Sequence, residues 1–532
     1  MTSEVVNQCR VGFNPHEISF VWTNPHYSRT IKQKSLRMRL SGYGRPLFFN
    51  AGRLAVSIHT AFQKCFGFFG KTPVVVEPSA GTLTSDAGLL PVREFDERIG
   101  LTQGLADALS DLRRQASVDH SYLEMTRSRV YGILADYPDQ NDHDVLRFDP
   151  VFQLIGGRSP ADDPLACQAT LSRFENAIDI PTLYRLRDVL VDQFIASFEQ
   201  PPTRLTLDVD TYDDPTHGAQ QLTFFHGYYD QYQYQPRIVT CDENDLTVMV
   251  WLLHGTAAPT LGFDDDLRYL VGRLRSVWPD VQLQLRGDSG FGVPLMYEVC
   301  EALGVDYTFG VRMNPVLQRE SAELLAQAVA QYEAQGAPQR LFHAFEYQAG
   351  SWPAPRWTII KCEANAQGTN RRAVVTNRPG GRVLPAACYD AYADRGESEN
   401  RNKELKCGLA ADRLSDHRYL ANFFRLFLHA SAFNLLARLR RCVASPPPEP
   451  PGEIPLEACG EPERGRYFNR RREHDPLGEG QPATWRTRLI KVAAEVIVSS
   501  RRILVRLSSN WPYLHHFADI SDAALGVPLP SG

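Results

Sequence analysis

From Gly81 the apolar positions recur at mixed steps of three and four: Leu89, Leu90, Val92 and Phe95, then Ile99, Leu101, Leu105 and Leu109. That period predicts helices as far as about Ala177, and a further helix from Ile180 to Phe198. The double proline Pro201-Pro202 then breaks the pattern, and the apolar positions beyond it fall into short β-branched runs. Strands are predicted at Arg204 to Asp210, Gln235 to Cys241 and Leu246 to Leu253. A helix Asp264 to Trp278, a strand Val281 to Gly287, a helix Val293 to Leu303 and a strand Asp306 to Val311 follow. Between the first two strands lies an aromatic stretch, Phe224 to Tyr234.

Three strands in a meander followed by helix-strand units fit a ribonuclease-H-like mixed sheet better than the strict alternation of a doubly wound fold. The fold class is therefore α/β (α+β). A strand-rich insertion interrupts the core, an α-helical domain precedes it, and a basic helical carboxyl terminus follows. The chain divides into a basic extension (1–71), a helical domain (72–200), the first part of the core (201–315), a mainly β insertion (316–390), the last part of the core (391–443), a Pro-rich and basic linker (444–482) and a basic helix and tail (483–532), the helix near Thr484 to Leu507.

Composition excludes several classes. Lys and Arg number 57 against 62 Asp and Glu, a net charge of −5, so total charge says nothing about an anionic partner. Its distribution says more: residues 401 to 441 hold nine Lys and Arg against three Asp and Glu, and residues 463 to 506 hold eleven against five. Such basic ground suits a phosphate backbone. The ten cysteines are scattered, with no Cys-x-x-Cys and no zinc-ligand spacing, and read as free thiols in a reducing cytosol. The apolar stretch Leu47 to Gly70 contains Arg53, His59 and Lys64, too many charges for a membrane span, and no signal-peptide pattern opens the chain. A cytoplasmic location is expected. Neither a Gly-x-Gly-x-x-Gly turn nor a Walker A loop occurs, so no nucleotide cofactor is expected.

The candidate chemistry is acidic. In Arg204 to Asp210 the alternation puts Leu205, Leu207 and Val209 on one face and Asp208 and Asp210 on the other. Asp288 follows the apolar strand in Arg-Gly-Asp-Ser-Gly-Phe, where Gly287 and Gly290 permit a tight exit. Both acids sit at carboxyl ends of strands, where open sheets place ligands. Asp213 and Asp214, before Pro215, suit a turn, as do Asp139, Asp142, His143 and Asp144. A third element is Tyr392, Arg395, Glu399 and Lys406, spaced Tyr-x2-Arg-x3-Glu-x6-Lys. On one continuous helix Glu399 and Lys406 would share a face, with Lys403 beside them.

These stretches carry a resemblance. LDVDTYDDPTHGAQQLTFF (207–225), LRGDSGF (285–291), the signature 392–406, VYGILADYPDQNDHDVLRFDP, LSRFENAID and RLIKVAAEVIVSSRRILVRLSSNWPY together resemble a prokaryotic insertion-sequence transposase with an Asp-Asp-Glu site. The match is to the insertion-sequence 1380 family, within the group carrying the Tyr-Arg-Glu-Lys signature. The resemblance implies a catalytic and metal-binding triad of Asp210, Asp288 and Glu399, with Asp208 a less natural first acid and Glu397 rejected by the spacing. It implies two Mg²⁺ ions, for which Mn²⁺ can substitute, since hard cations take carboxylate oxygens. Tyr392, Arg395, Lys403 and Lys406 become DNA-binding residues, and Trp352 or Trp357 of the insertion a base-stacking aromatic. The implied partners are double-stranded DNA, both element terminal inverted repeats and target, and a second copy of the chain, in a nucleoid-associated setting. The helical region 81 to 177 would read the ends. A structure-specific nuclease on the same sheet, or an inactive DNA-binding copy, would share most of these features.

Overall fold

The computed structural model describes residues 63–66, 68, 72, 74–78, 81–444, 477–478 and 480–528. Most of the basic extension 1–71 and of the linker 444–482 lies outside the described residues. Two compact units are present, Met1–Ser79 and Ala80–Gly532. In the first, β1 (Lys64–Phe66) pairs antiparallel with β2 (Val74–Val76), Cys65 facing Val75.

The second unit begins with β3 (Leu83–Thr84) and the helices α1 (Leu89–Ile99), α2 (Leu101–Asp107) and α3 (Tyr122–Leu134). After α4 (His143–Leu146) come α5 (Pro150–Gly156), α6 (Gln168–Glu175) and α7 (Ile180–Ile195). Side-chain caps set several starts: Ser121 accepts from Glu124 N, Asp149 from Val151 N and Phe152 N, and Asp179 from Thr182 N. In the acidic turn Asp139 accepts from Asn141 N as a cap, as the sequence suggests, but His143 is buried against Phe152 and Arg129.

Beyond Pro201-Pro202 come β4 (Arg204–Thr211), β5 (Asp214–Pro215), β6 (Phe224–His226), β7 (Gln231–Cys241) and β8 (Thr247–His254). Then follow α8 (Phe263–Val277), β9 (Gln282–Gly287), α9 (Pro294–Leu303) and β10 (Asp306–Val311). β4 pairs antiparallel with β7 and parallel with β9, β7 pairs antiparallel with β8, and β9 pairs parallel with β10. The spatial order β8-β7-β4-β9-β10 is the ribonuclease-H-like arrangement that the order of elements predicts. It puts β4 at the centre and the carboxyl ends of β4 and β9 side by side.

Two helices, α10 (Pro315–Glu320) and α11 (Ala322–Gln335), lead into β11 (Gln339–Tyr347), β12 (Arg356–Asn365) and β13 (Gly368–Thr376). Sequence reading sets this segment apart as an insertion dividing the core. In the structure β13 pairs antiparallel with β10, Thr308 facing Thr376, so the three strands extend the core sheet to ten. Edge strand β10 offered unpaired backbone groups, and the run Ala373 to Thr376, with β-branched Val374, Val375 and Thr376, satisfies them.

The chain returns through α12 (Gly380–Val383), α13 (Pro385–Ala393) and α14 (Arg395–Lys403), a π turn at Glu404–Gly408, and α15 (Tyr419–Val443). By length and composition α15 could cross a membrane, yet nearly all of its apolar window is buried inside the molecule. Several of its polar residues find partners there. Arg425 and Arg129 of α3 both donate to Glu175, and Asn434 bonds both backbone groups of Thr247.

The carboxyl-terminal segment differs from expectation. In place of one basic helix it forms α16 (Pro482–Trp485), a π turn at Arg486–Ile490, a hairpin of β14 (Ala494–Val498) and β15 (Ile503–Leu507), and α17 (Leu514–Gly526). Val-Ile-Val and Ile-Leu-Val flank Ser-Ser-Arg-Arg, and β-branched runs around a polar turn make a hairpin. β14 also pairs with β3.

Candidate active site

The three acids come from three elements that the fold brings together. Asp210 ends β4, Asp288 follows β9, and Glu399 lies on α14. α14 is fixed over this region by Ser398, whose hydroxyl lies 3.0 Å from Thr240 Oγ1 on β7. Thr240 faces Asp208 in the β4–β7 register. The loop after β9 turns closely over β10: a methyl on Gly292 would lie 2.4 Å from the Gly310 carbonyl oxygen. One on Gly310 would lie 3.0 Å from Tyr392 Oη and 3.3 Å from the Asp288 carbonyl carbon. These glycines are required by close approach of backbone. Asp288 accepts from Gly290 N at 2.8 Å, which orients its carboxylate.

One cation ties the acids together. Arg395 Nη1 donates to Asp210 Oδ2 at 3.0 Å and Nη2 to Glu399 Oε1 at 2.6 Å. Burial pushes the Asp210 carboxyl above its ordinary value, and the charge of Asp288 pushes the same way, against Arg395. Burial pulls the Arg395 guanidinium down, but Asp210 and the other neighbours outweigh it and raise it. Tyr392 is pushed up by burial, with Arg395 opposing and Asp288 adding to the rise. Arg395 is thus the cation that most strongly offsets the burial of Asp210.

Asp208, the alternative first acid, is committed elsewhere. Arg286 Nε and Nη2 each donate to one of its oxygens at 2.6 Å, and Arg286 Nη1 reaches the Ala391 carbonyl of α13 at 2.7 Å. Asp208 is 1% exposed, and burial pushes its carboxyl up to about 6 despite the arginine. A bidentate pair of this kind uses both acceptor oxygens. Sequence reading missed Arg286, although it stands in the quoted Leu-Arg-Gly-Asp; the register that puts it opposite Asp208 becomes visible only once β4 and β9 are paired.

The remaining candidates spread differently from the sequence picture. Because α14 ends at Lys403 and a π turn follows, Glu399 and Lys406 do not sit two turns apart on one helix. Lys406 instead turns to Asp213, Nζ to Oδ1 at 2.6 Å, beside the Tyr212 ring. Burial pushes Asp213 up, but Lys406 overrides it and holds the carboxyl below its usual value. Asp213 therefore serves as a partner to the signature lysine, and Asp214 is buried in β5, beyond the turn role the sequence suggests. Lys403 is exposed and Asn402 lies 3.4 Å from Asp210.

Of the two tryptophans, Trp352 is 7% exposed and packs edge-on against Tyr297 and Tyr347, inside the core. Trp357 is half-buried, with Arg382 over its ring. Much of the predicted basic ground is also internal. Arg425 and Arg440 are buried against Glu175 and Glu404, and Arg486 donates to the Ile133 and Leu134 carbonyls. Lys403, Arg413, Arg418 and Arg441 stay exposed.

Asp210, Asp288 and Glu399 offer only hard oxygen donors, the set a magnesium ion prefers. Among the described residues no three His, Cys, Asp or Glu side chains form a group that could hold a metal ion, and the Arg395 guanidinium bridges Asp210 and Glu399. The donor chemistry of the three carboxylates fits a hard divalent ion.

A family model described as transposase DDE domain group 1 matches residues 66–447. Among solved structures, the chain is similar to a piggyBac transposase in a synaptic complex with hairpin DNA, at 13% identity and a TM-score of 0.36, over 76% of this chain and 84% of that one. No curated protein matches the chain.

Proposed function

Since the chain belongs to the family of transposases with a group 1 DDE domain, we propose that it processes and joins DNA at the ends of an insertion sequence of the 1380 family. Asp210, Asp288 and Glu399 are its catalytic triad and would hold two Mg²⁺ or Mn²⁺ ions. The observation that carries the assignment is Arg395 shared between Asp210 and Glu399 next to Asp288: carboxylates gathered from three elements around one cationic position. When bound, such ions polarise the phosphoryl group and make a water or a 3′-hydroxyl nucleophilic.

The chain's own part is positioning. Asp210 sits in the central strand β4 and Asp288 just past the end of β9, while Glu399 is 58% exposed on a helix surface and is the acid free to adjust. Release of Arg395 from the acids would turn its two-pronged donor to a DNA phosphate, with Tyr392, Lys403 and Lys406 along the same strand. The substrates are double-stranded terminal inverted repeats and target DNA, the route is cut-and-paste, and the acting form is a homodimer in the prokaryotic cytoplasm at the nucleoid.

The test is processing of labelled duplexes taken from the DNA flanking the gene, with and without Mg²⁺, by wild type, Asp288→Asn and Glu399→Gln. Wild type should give cleaved and joined products, and each variant should bind the duplex but leave it intact. Cleavage at wild-type rate by either variant removes the triad assignment. Cleavage without joining makes the protein a nuclease on this sheet, and binding without any metal-dependent product makes it a DNA-binding copy.

A further inference from the structure

The exposed aromatic residues are not spread evenly over the surface. β6 and β7 form a hairpin whose tip, residues 227 to 230, carries Tyr228 and Tyr229, while Phe225 and Tyr232 face each other across its strands. All four rings are exposed, Tyr228 to 85%. Exposed apolar ground of this density marks a contact surface. The rings are held in place: Tyr228 meets Tyr229 edge-on at 5.0 Å, Phe225 meets Tyr232 edge-on at 5.6 Å, and His226 lies 5.0 Å from Tyr229. The tip is closed by Tyr229 N and Asp230 N, both donating to the His226 carbonyl, with Asp230 at φ +54°.

The hairpin is anchored beside the acids. Gln231 donates from Nε2 to Asp213 Oδ2 at 3.3 Å, the same carboxylate that Lys406 holds. Tyr229 lies close enough to feel the charges of Asp213, Lys406 and Asp210. Its charge pattern is equally specific: from Leu205 to Pro236 the chain has no lysine or arginine. The hairpin itself therefore offers a phosphate backbone no cation of its own, whereas aromatic faces stack bases of any sequence.

We propose that this hairpin is a stacking platform for unpaired bases of the DNA strand whose phosphate lies at Asp210, Asp288 and Glu399, Tyr228 and Tyr232 providing the principal faces. The proposal rests on the DNA-processing function above and assigns bases to the hairpin, phosphates to Lys403 and its neighbours. It also gives base stacking a location separate from Trp352, which fills the core.

The experiment uses the full chain and two fluorescent probes: a blunt duplex from the flanking DNA, and the same duplex with a short single-stranded extension containing 2-aminopurine. Wild type should bind the extended probe about fivefold or more tightly than the blunt one and quench the 2-aminopurine. Tyr228→Ala and Tyr232→Ala should lose that preference and the quenching, with unchanged melting temperature, and Tyr228→Phe should keep both. Equal binding of the two probes by wild type, or a preference retained in both alanine variants, overturns the platform. If blunt duplex is bound and cleaved with Mg²⁺ while the preference is absent, the platform alone fails. Absence of both binding and cleavage removes the function with it. A drop in particle mass of Tyr228→Ala by light scattering, with the preference intact, makes the hairpin a contact between copies of the chain and overturns the proposal.

Discussion

At the scale of single residues, burial decides which charged groups serve the site and which serve the fold. Asp208 and Asp210 look alike in the sequence, two residues apart on one strand face, and differ only in what β9 and α14 bring to them. Removing Arg286 would leave Asp208 as an uncompensated buried charge. Arg286→Met should therefore cost about 3–5 kcal/mol of stability, read as a lower urea midpoint. His429 offers a second check. Its Nδ1 donates to the Leu409 carbonyl, and burial, helped by Arg129, pulls it down to about 3. An unfolded histidine titrates at about 6.5, so as pH falls below that value the unfolded chain takes the proton first. The stability His429 contributes is whole above about pH 6.5 and is lost as pH falls toward 3. Between pH 6.5 and 4 the urea midpoint of wild type should fall more steeply than that of His429→Gln; parallel curves would show that His429 is not held neutral.

Elements show how packing overrides local pattern. The insertion reads as a separate β cluster because its strands are contiguous in sequence, yet β13 docks on β10 and its tryptophan enters the core. Trp352→Ala should cost about 3–5 kcal/mol, and a urea midpoint shifted by much less would place that side chain at the surface. The central meander, α8, β9 and β10 were legible because apolar alternation and Pro-Gly punctuation agree with the sheet they enter. That Asp210, Asp288 and Glu399 lie near one another was legible from strand ends and signature spacing. Three features were not. The π turn after Lys403 breaks the helical phase before its one glycine, Gly408, is reached, so the partner of Lys406 went unseen. The hairpin β14–β15 hides in a basic stretch whose charges mask its β-branched runs. The pairing of Asp208 with Arg286 depends on a register between strands 78 residues apart, which no local pattern carries.

For the molecule as a whole, the compact unit Ala80–Gly532 is closed by its two ends. β3 pairs with β14, and Ala87 N and Gly88 N donate to the Val492 and Ile490 carbonyls. A methyl on Gly88 would lie 1.9 Å from the Leu489 carbonyl oxygen. Gly88→Ala should therefore force these segments apart, destabilising the fold by about 1–3 kcal/mol as overpacking does, with a lower melting temperature as readout. An unchanged melt would show that the two ends do not touch. Trp485, Leu489 and Ile490 belong to the same hydrophobic core as Leu89 and Phe95, so the carboxyl-terminal segment is structural although the matched family region stops at residue 447.

That closure has a consequence for biosynthesis. A ribosome makes the chain from its amino end, and domains fold as their parts emerge. Here β3 and the start of α1 must wait for a partner roughly 400 residues later. Until the hairpin β14–β15 leaves the exit tunnel, the first helices lack part of their packing and the sheet stands on an unfinished support. A nascent chain arrested before residue 494 should thus be cut readily by protease within residues 83 to 100, and one released after residue 528 should not. Interrupted synthesis would yield a protease-sensitive fragment, which couples translation of the segment carrying β14 to the appearance of a stable DNA-processing protein.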